Sequence, residues 1–299
     1  LNMKVLVTGS DGNVGNQIVK NLLKCKKYQL FLFSNKRKKN IINKVFYKDL
    51  LKPINLKLNI DSIIHCAGKT HNSIIGNSMK SVYRTNIKII ENIVNFANKN
   101  KMKSIFFLSS IDVYGNKKNN IISENLKPSK INLYAKSKLS SENILCKKGN
   151  KFRAICLRLP GIVNHNLKKN YPLMNFLLKK IKNNKKVLLY NSNNKFNSII
   201  DAIEISNFIH HVLTKKKLKF KSGIYNFSAS NPINFFTLVN LIKKKFKSKS
   251  QIIKYYSNTS SCIISNKKLF NNFKFNTASS KTIIERCCDE ILKKNKNLK

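Results

Sequence analysis

The sequence predicts an open α/β fold, a doubly wound parallel sheet with helices on both faces, and a smaller domain drawn mostly from the C-terminal third. Three observations carry this. Short apolar runs alternate with longer stretches of helical spacing through the first half, the pattern of strands buried on both faces and joined by crossover helices. A turn holding Gly9, Gly12 and Gly15 joins the first apolar run to the first helical stretch. The chain has only nine glycines, and seven of them (9, 12, 15, 68, 115, 161 and 223) stand at predicted turns or element ends, where backbone freedom is needed.

The elements follow in order. Lys4–Thr8 is an apolar run that stops at Gly9 and reads as the first strand. Val14–Leu23 is the first helix, with Val14, Ile18, Leu22 and Leu23 on one side. Leu30–Phe33, Val45–Tyr47 and Ser62–Cys66 are the second to fourth strands; Ser81–Asn98 is a long helix and Ser104–Ser109 the fifth strand. Leu133–Cys146 is a helix and Arg153–Leu159 a sixth strand. Beyond them Met174–Lys182, Ala202–Leu213 and Phe235–Phe246 have helical spacing, and Gly223–Phe227 reads as a strand. Residues 1–160 are expected to form the sheet domain, with return segments near 196–229, and 161–195 with 230–299 the second domain.

Composition excludes several classes. A chain of 299 residues with 42 % hydrophobic content can bury a core and is not a disordered polymer. Runs such as Ile105-Phe106-Phe107-Leu108 are too short to span a bilayer, and Val5-Leu6-Val7 leads straight into the glycine turn, so no secretory leader is read after Met3. Seven scattered cysteines without a CxxC pair suggest neither a disulfide framework nor a metal site, and the expected compartment is the cytoplasm. The formal charge of +47 comes from 59 basic and 12 acidic residues, and only five of the basic residues are Arg. Because Lys and the 45 Asn are spread along the chain, the charge reads as compositional bias, and no specific nucleic-acid partner is expected.

Thr8-Gly9-Ser10-Asp11-Gly12-Asn13-Val14-Gly15 lets the backbone approach a pyrophosphate, with N–H groups of the helix start facing its oxygens. This strand–turn–helix context predicts a dinucleotide-binding, Rossmann-type domain. The second strand ends in Ser34-Asn35-Lys36-Arg37-Lys38, without the acid that takes a ribose 2′-hydroxyl. A small polar residue followed by cations suits a 2′-phosphate, so the expected cofactor is NAD(P), leaning to NADP.

Tyr134 and Lys138 are four residues apart at the head of a predicted helix and share a face. An ammonium nearby favours the phenolate, so Tyr134 can exchange a proton with a hydroxyl or carbonyl. Ser109-Ser110 ends the fifth strand, at the sheet edge where ligands bind.

Taken in order, these segments resemble the extended short-chain dehydrogenase/reductase family, in its nucleoside-diphosphate-sugar epimerase/dehydratase branch, from about Met3 to Ile291. Thr8–Gly15 is similar to the family's TGxxGxxG, and Leu108–Gly115 to its SSxxVYG; Glu124, Pro128, Tyr134 and Lys138 follow the E…P…YxxxK pattern. Gly223-Ile224-Tyr225-Asn226 is similar to the late GxYN strand. The resemblance implies Ser110, Tyr134 and Lys138 as catalytic residues. It implies cofactor contacts from Asp49, Leu50, Cys66, Ala67, Gly68, Lys69, Asn86, Ser109, Leu159 and Pro160, and substrate contacts from His71, Ser110, Asp112, Tyr134, Gly161 and Asn197.

Two departures bear on the reaction. Family dehydratases carry Asp-Glu after the catalytic hydroxyl residue; here the pair is Ile111-Asp112, which argues against dehydration. Phe196–Asp201 stands where many relatives place an Arg on the diphosphate, and Asn197 lacks that charge. The expected activity is that of an NAD(P)-dependent nucleotide-sugar epimerase or 4-keto-reductase, in cell-surface polysaccharide precursor synthesis. A homodimer is implied by the resemblance. The alternatives are sugar dehydration, reduction of a non-sugar ketone, and a non-catalytic fold binding RNA or an anionic surface. His210-His211 read as ordinary helix residues, and Cys287-Cys288 and Tyr255-Tyr256 as packing.

Overall fold

The computed structural model describes residues 2–34, 44–70, 78–115, 120–164, 167, 173–215, 220–256 and 262–296. Asn35, Lys36, Arg37 and His71 lie outside the described residues. In chain order the first part holds β1 (Met3–Thr8), α1 (Asn13–Leu23), β2 (Tyr28–Ser34), β3 (Lys44–Tyr47), β4 (Ser62–His65), α2 (Met79–Lys99), β5 (Ser104–Ser110), β6 (Ile121–Ile122), α3 (Leu133–Leu145) and β7 (Arg153–Leu159). The remainder holds β8 (Gly161–Ile162), α4 (Leu173–Lys182), β9 (Val187–Tyr190), β10 (Lys195–Phe196), β11 (Ile199–Ile200), α5 (Ala202–Thr214), β12 (Gly223–Asn226), β13 (Ile233–Asn234), α6 (Phe235–Lys245), β14 (Ile252–Tyr255), β15 (Ile263–Ile264), α7 (Lys267–Phe273) and α8 (Ser280–Lys296).

The chain divides into two compact units. The first comprises 1–116, 127–158 and 209–225. Its seven-stranded sheet has the order β12-β7-β5-β4-β1-β2-β3. β1 pairs in parallel with β2 on one side and β4 on the other, so the chain winds one way through β2 and β3 and the other way from β4 onward. This reversal between β1 and β4 opens the crevice at the carboxyl ends where such sheets bind ligands. The register puts Thr8, Phe33, His65 and Phe107 in one row at that edge. Val5, Leu6 and Val7 are fully buried because helices cover both faces. Ser78 caps α2 by accepting the Ser81 N–H at 3.2 Å, and Asn132 caps α3 by accepting that of Ala135 at 2.9 Å. These caps fix where the two helices beside the crevice begin.

The second unit comprises 117–126, 159–208 and 226–299. Four short strand pairs organise it: β6 with β15, β8 with β11 and β9 with β14 run parallel, and β10 with β13 antiparallel. Phe208, Phe227, Phe273 and Phe275 form an aromatic cluster with ring centroids 5.0–6.3 Å apart. Arg286 joins α8 to the start of α5 through Asp201 at 3.1 Å and Glu204 at 2.9 Å. Ladders of two to four residues leave no periodic signal in a sequence, which is why most of them escape a reading of the residues alone. Tyr255, expected to pack, is exposed, as is Tyr256.

Candidate active site

The glycine turn is built by close approach. A Cβ on Gly15 would sit 2.3 Å from the Gly9 carbonyl oxygen, and one on Gly9, whose φ is +66°, would sit 2.7 Å from Ala67 N. The turn is therefore folded tightly against the loop after β4. Gly12 stands at the N-cap of α1 with no side-chain cap, so the first-turn N–H groups there are offered to a ligand. Ser34, at the end of β2, donates its hydroxyl to the Asp11 carboxylate.

A cleft of about 450 Å³ opens beside this turn. It gathers ten of the expected cofactor residues: Gly9, Asp11, Gly12, Ser34, Asp49, Leu50, Cys66, Ala67, Gly68 and Lys69. Phe33, Lys48, Leu51, Thr85 and Ile89 complete the lining and were not foreseen. The volume and the tight turn, which side chains at Gly9 and Gly15 would force apart, fit the phosphate and nucleoside end of a dinucleotide. Asn13, Val14 and Gly15 form the first turn of α1.

Other expected residues have different work. Asn86 is a clamp: its Oδ1 accepts Lys69 N–H at 2.8 Å, and its Nδ2 donates to Lys69 O at 3.1 Å and Ser137 Oγ at 3.0 Å. It thereby ties the loop after β4 to α3. Ser109, expected at the cofactor, donates its hydroxyl to Glu142 Oε1 at 2.6 Å within the buried interior. Asn197, expected at the substrate, spends its amide inside the second unit, donating to Ala229 O at 3.0 Å and Ile264 O at 2.9 Å and accepting Ile264 N–H at 3.0 Å. Leu159, Pro160 and Gly161 also belong to the second unit.

The residues expected to be catalytic stand on β5 and α3. The hydroxyl of Ser110 accepts the Asp112 N–H at 3.2 Å and lies close enough to the Tyr134 phenol to favour its ionised form. Lys138, one turn along α3, has its Nζ 5.8 Å from the Tyr134 ring centroid and 4.8 Å from that of Phe107, and donates to Leu108 O at 2.8 Å. Burial pulls its ammonium down to about 8, while the Cys66, Glu142 and Cys156 side chains act the other way. The sequence expectation that Lys138 depresses the phenol is not met in this state. Burial and the Asp112 charge hold Tyr134 well above its ordinary range, and the neighbouring Ser110 hydroxyl offsets them only in part.

Behind the trio lies a network the sequence reading missed. Glu142, fully buried, forms a two-point pair with Arg158: Nε to Oε1 at 3.0 Å and Nη2 to Oε2 at 2.7 Å. Arg158 also lies over the Tyr114 ring at 4.8 Å. The one signal for it was the helical spacing: Tyr134, Lys138 and Glu142 are successive residues of an i, i+4, i+8 row. Between the two ends, Thr8 Oγ1 meets His65 Nδ1 at 2.7 Å, and burial followed by the Lys138 charge pushes His65 down to about 3. Among the described residues no group of three or more His, Cys, Asp or Glu side chains could hold a metal ion, and no helix is long and apolar enough to cross a membrane.

A glycine-cradled crevice with a tyrosine, lysine and serine at the neighbouring strand end defines a dinucleotide-dependent enzyme of the extended short-chain dehydrogenase/reductase class. More narrowly, residues 5–228 match the model of the NAD dependent epimerase/dehydratase family, and the chain belongs to that family. The fold is shared with UDP-glucose 4-epimerase from Thermotoga maritima, solved with UDP-glucose, at a TM-score of 0.80 and 15 % identity, over 98 % of this chain and 99 % of that one. UDP-glucuronic acid 4-epimerase from Bacillus cereus, solved with NAD, aligns at 0.79 and 17 % identity over 98 % of each chain. RMD from Pseudomonas aeruginosa, solved with NADPH, aligns at 0.76 and 17 % identity over 98 % of this chain and 100 % of that one. Comparison with curated proteins by sequence gives no match.

Proposed function

We propose that the enzyme is an NAD(P)-dependent nucleotide-sugar epimerase or 4-keto-reductase, with Ser110, Tyr134 and Lys138 as its catalytic residues. The observation that carries this reading is the placement of Tyr134 and Lys138 one turn apart on α3, Lys138 Nζ 5.8 Å from the Tyr134 ring centroid, with Ser110 at the end of β5 acting on the same phenol. A bound dinucleotide would supply the hydride acceptor or donor. Tyr134, protonated in the described state, donates to a sugar carbonyl oxygen or, once deprotonated, takes the proton of a hydroxyl; Ser110 bonds the same oxygen. Lys138 supplies the positive charge that must offset burial and Asp112 for the phenolate to form. The UDP-glucose bound to the Thermotoga maritima enzyme supports a nucleotide sugar as substrate.

For the choice of dinucleotide, Lys36, Arg37 and Lys38 support NADP, while the Asp11 carboxylate on Ser34 opposes a 2′-phosphate. Calorimetric titration of both forms decides between them. A cytoplasmic homodimer serving cell-surface polysaccharide precursors belongs to the same proposal through the family likeness. Asp112, close enough to act on Tyr134, supports dehydration as a second reading, which loss of water from the product would reveal.

The decisive experiment is turnover of a panel of nucleotide sugars by the wild type and Tyr134→Phe. The variant is expected to lose about 10²–10⁴-fold in kcat. Wild-type inactivity across the panel removes the sugar assignment, and equal activity of the two removes the mechanism.

A further inference from the structure

The second unit carries a concentration of charge that the reaction does not use. Segment 179–186 holds Lys179, Lys180, Lys182, Lys185 and Lys186, and segment 243–249 holds Lys243, Lys244, Lys245, Lys247 and Lys249; neither contains an acidic residue. The fold brings them together. They form the last turns of α4 and α6 and the turns that follow. Those turns are fastened to each other: Ser248 donates to Ile181 O at 2.5 Å, and Asn184 Oδ1 accepts the Lys249 N–H at 2.8 Å. Ten lysines thus stand at one end of a packed helix pair. Lys185, Lys186, Lys244, Lys247 and Lys249 are exposed and the other five half-buried. Lys245 meets a carboxylate, Asp289, at 3.0 Å. One or two cations at a helix C-terminus answer the helix dipole, and ten exceed that need.

The two strands leaving this end add an apolar margin. β9 and β14 pair so that Leu188 faces Ile253 and Tyr190 faces Tyr255. Leu188, Tyr190, Tyr255 and Tyr256 are exposed, and Tyr190 stacks on Tyr255 with centroids 5.5 Å apart.

We propose that this face docks the enzyme on an anionic lipid bilayer, lysines on the headgroups and the Leu188–Tyr190–Tyr255 margin at their depth. Charge complementarity selects an anionic surface. The residue types select lipid over RNA: the cluster has no Arg, whose planar fork binds and stacks on nucleotides, and the margin joins Leu188 to tyrosines, whose ring is suited to a membrane interface. The proposal stands apart from the chemistry assigned to Tyr134, so either can fail without the other.

The test is co-sedimentation of the full chain with vesicles of equimolar phosphatidylglycerol and phosphatidylcholine, against phosphatidylcholine alone, at low and high salt. The wild type is expected to bind only the anionic vesicles and to be released by salt. Replacing the exposed Lys185, Lys186, Lys244, Lys247 and Lys249 by Gln should weaken binding by roughly tenfold or more, because each lysine near such a surface contributes measurably. A charge-matched control in the first unit, with Lys20, Lys24, Lys26, Lys147 and Lys148 replaced by Gln, should change it by less than about twofold. Circular dichroism verifies that both variants fold. Absence of vesicle binding, equal losses in both variants, or preferential binding of a single-stranded RNA oligomer through the same lysines would each overturn the proposal.

Discussion

The two ends of the site proposed in the first unit, for phosphate and for reaction, are made of different materials. The phosphate end is made of backbone, with Gly9 packed against Ala67 and Gly15 against the Gly9 carbonyl at distances no side chain would permit. The reacting end is made of side chains: Ser110, Tyr134 and Lys138 in front, and Ser109, Glu142, Arg158 and Tyr114 behind. A backbone site tolerates substitution only where no Cβ is added. A side-chain site tolerates it only where buried charge stays paired. The difference teaches where each end is vulnerable, and it orders the experiments.

The largest effect on stability is expected at the reacting end. Glu142→Ala leaves the Arg158 guanidinium buried without its partner and the Ser109 hydroxyl without its acceptor. Breaking a buried pair on one side costs about 3–5 kcal/mol. Urea unfolding should report that loss, and Glu142→Gln, which keeps shape and one acceptor, should lose less. A loss in Glu142→Ala smaller than about 1 kcal/mol would mean that the pair is solvent-relaxed and does not brace the trio.

A smaller effect is expected at the phosphate end. In Gly15→Ala the new methyl meets the Gly9 carbonyl at 2.3 Å, so the turn must open by a few tenths of an ångström or more. Overpacking of this kind costs about 1–3 kcal/mol in folding. Because the displaced atoms belong to the turn proposed to hold the pyrophosphate, dinucleotide affinity should fall about tenfold or more. Titration calorimetry with NAD and NADP measures this directly. Unchanged affinity would remove the turn from the binding site.

These materials also explain what the sequence discloses. Glycine is rare in this chain, so its placement at 9, 12, 15, 68 and 115 marks the turns by composition alone, and the buried strands are legible as apolar runs. Tyr134 and Lys138 are legible because one helix fixes their spacing. Glu142 extends the same row, but its partner Arg158 arrives on β7, and a pairing between a helix and a strand leaves no local pattern. Asn197 shows the converse: a position inferred by likeness to relatives is occupied by an amide that holds two backbone segments. The short ladders of the second unit are products of tertiary packing and are largely invisible in the residues.

The smallest effect is expected at His65, which touches both ends through Thr8 and the Lys138 field. Its folded pKa is pushed from 6.5 to about 3, so the folded chain keeps the ring neutral while the unfolded chain protonates it. The contribution is therefore fully present above 6.5 and lost progressively as pH falls towards 3. Asp201, raised by burial from 3.8 to about 6, acts in the opposite sense between those two values, where acid favours its folded, protonated form. Lys138 stays charged throughout this range and adds no slope. A His65→Leu chain sheds the titrating ring and leaves the Thr8 hydroxyl without that partner, at a cost of about 1 kcal/mol at neutral pH. Its stability should then decline less steeply than that of the wild type as pH is lowered from 6.5, as followed by urea unfolding at each pH. Parallel declines would show that His65 is already solvated in the folded chain, and that the two ends of the site are not joined through a neutral imidazole.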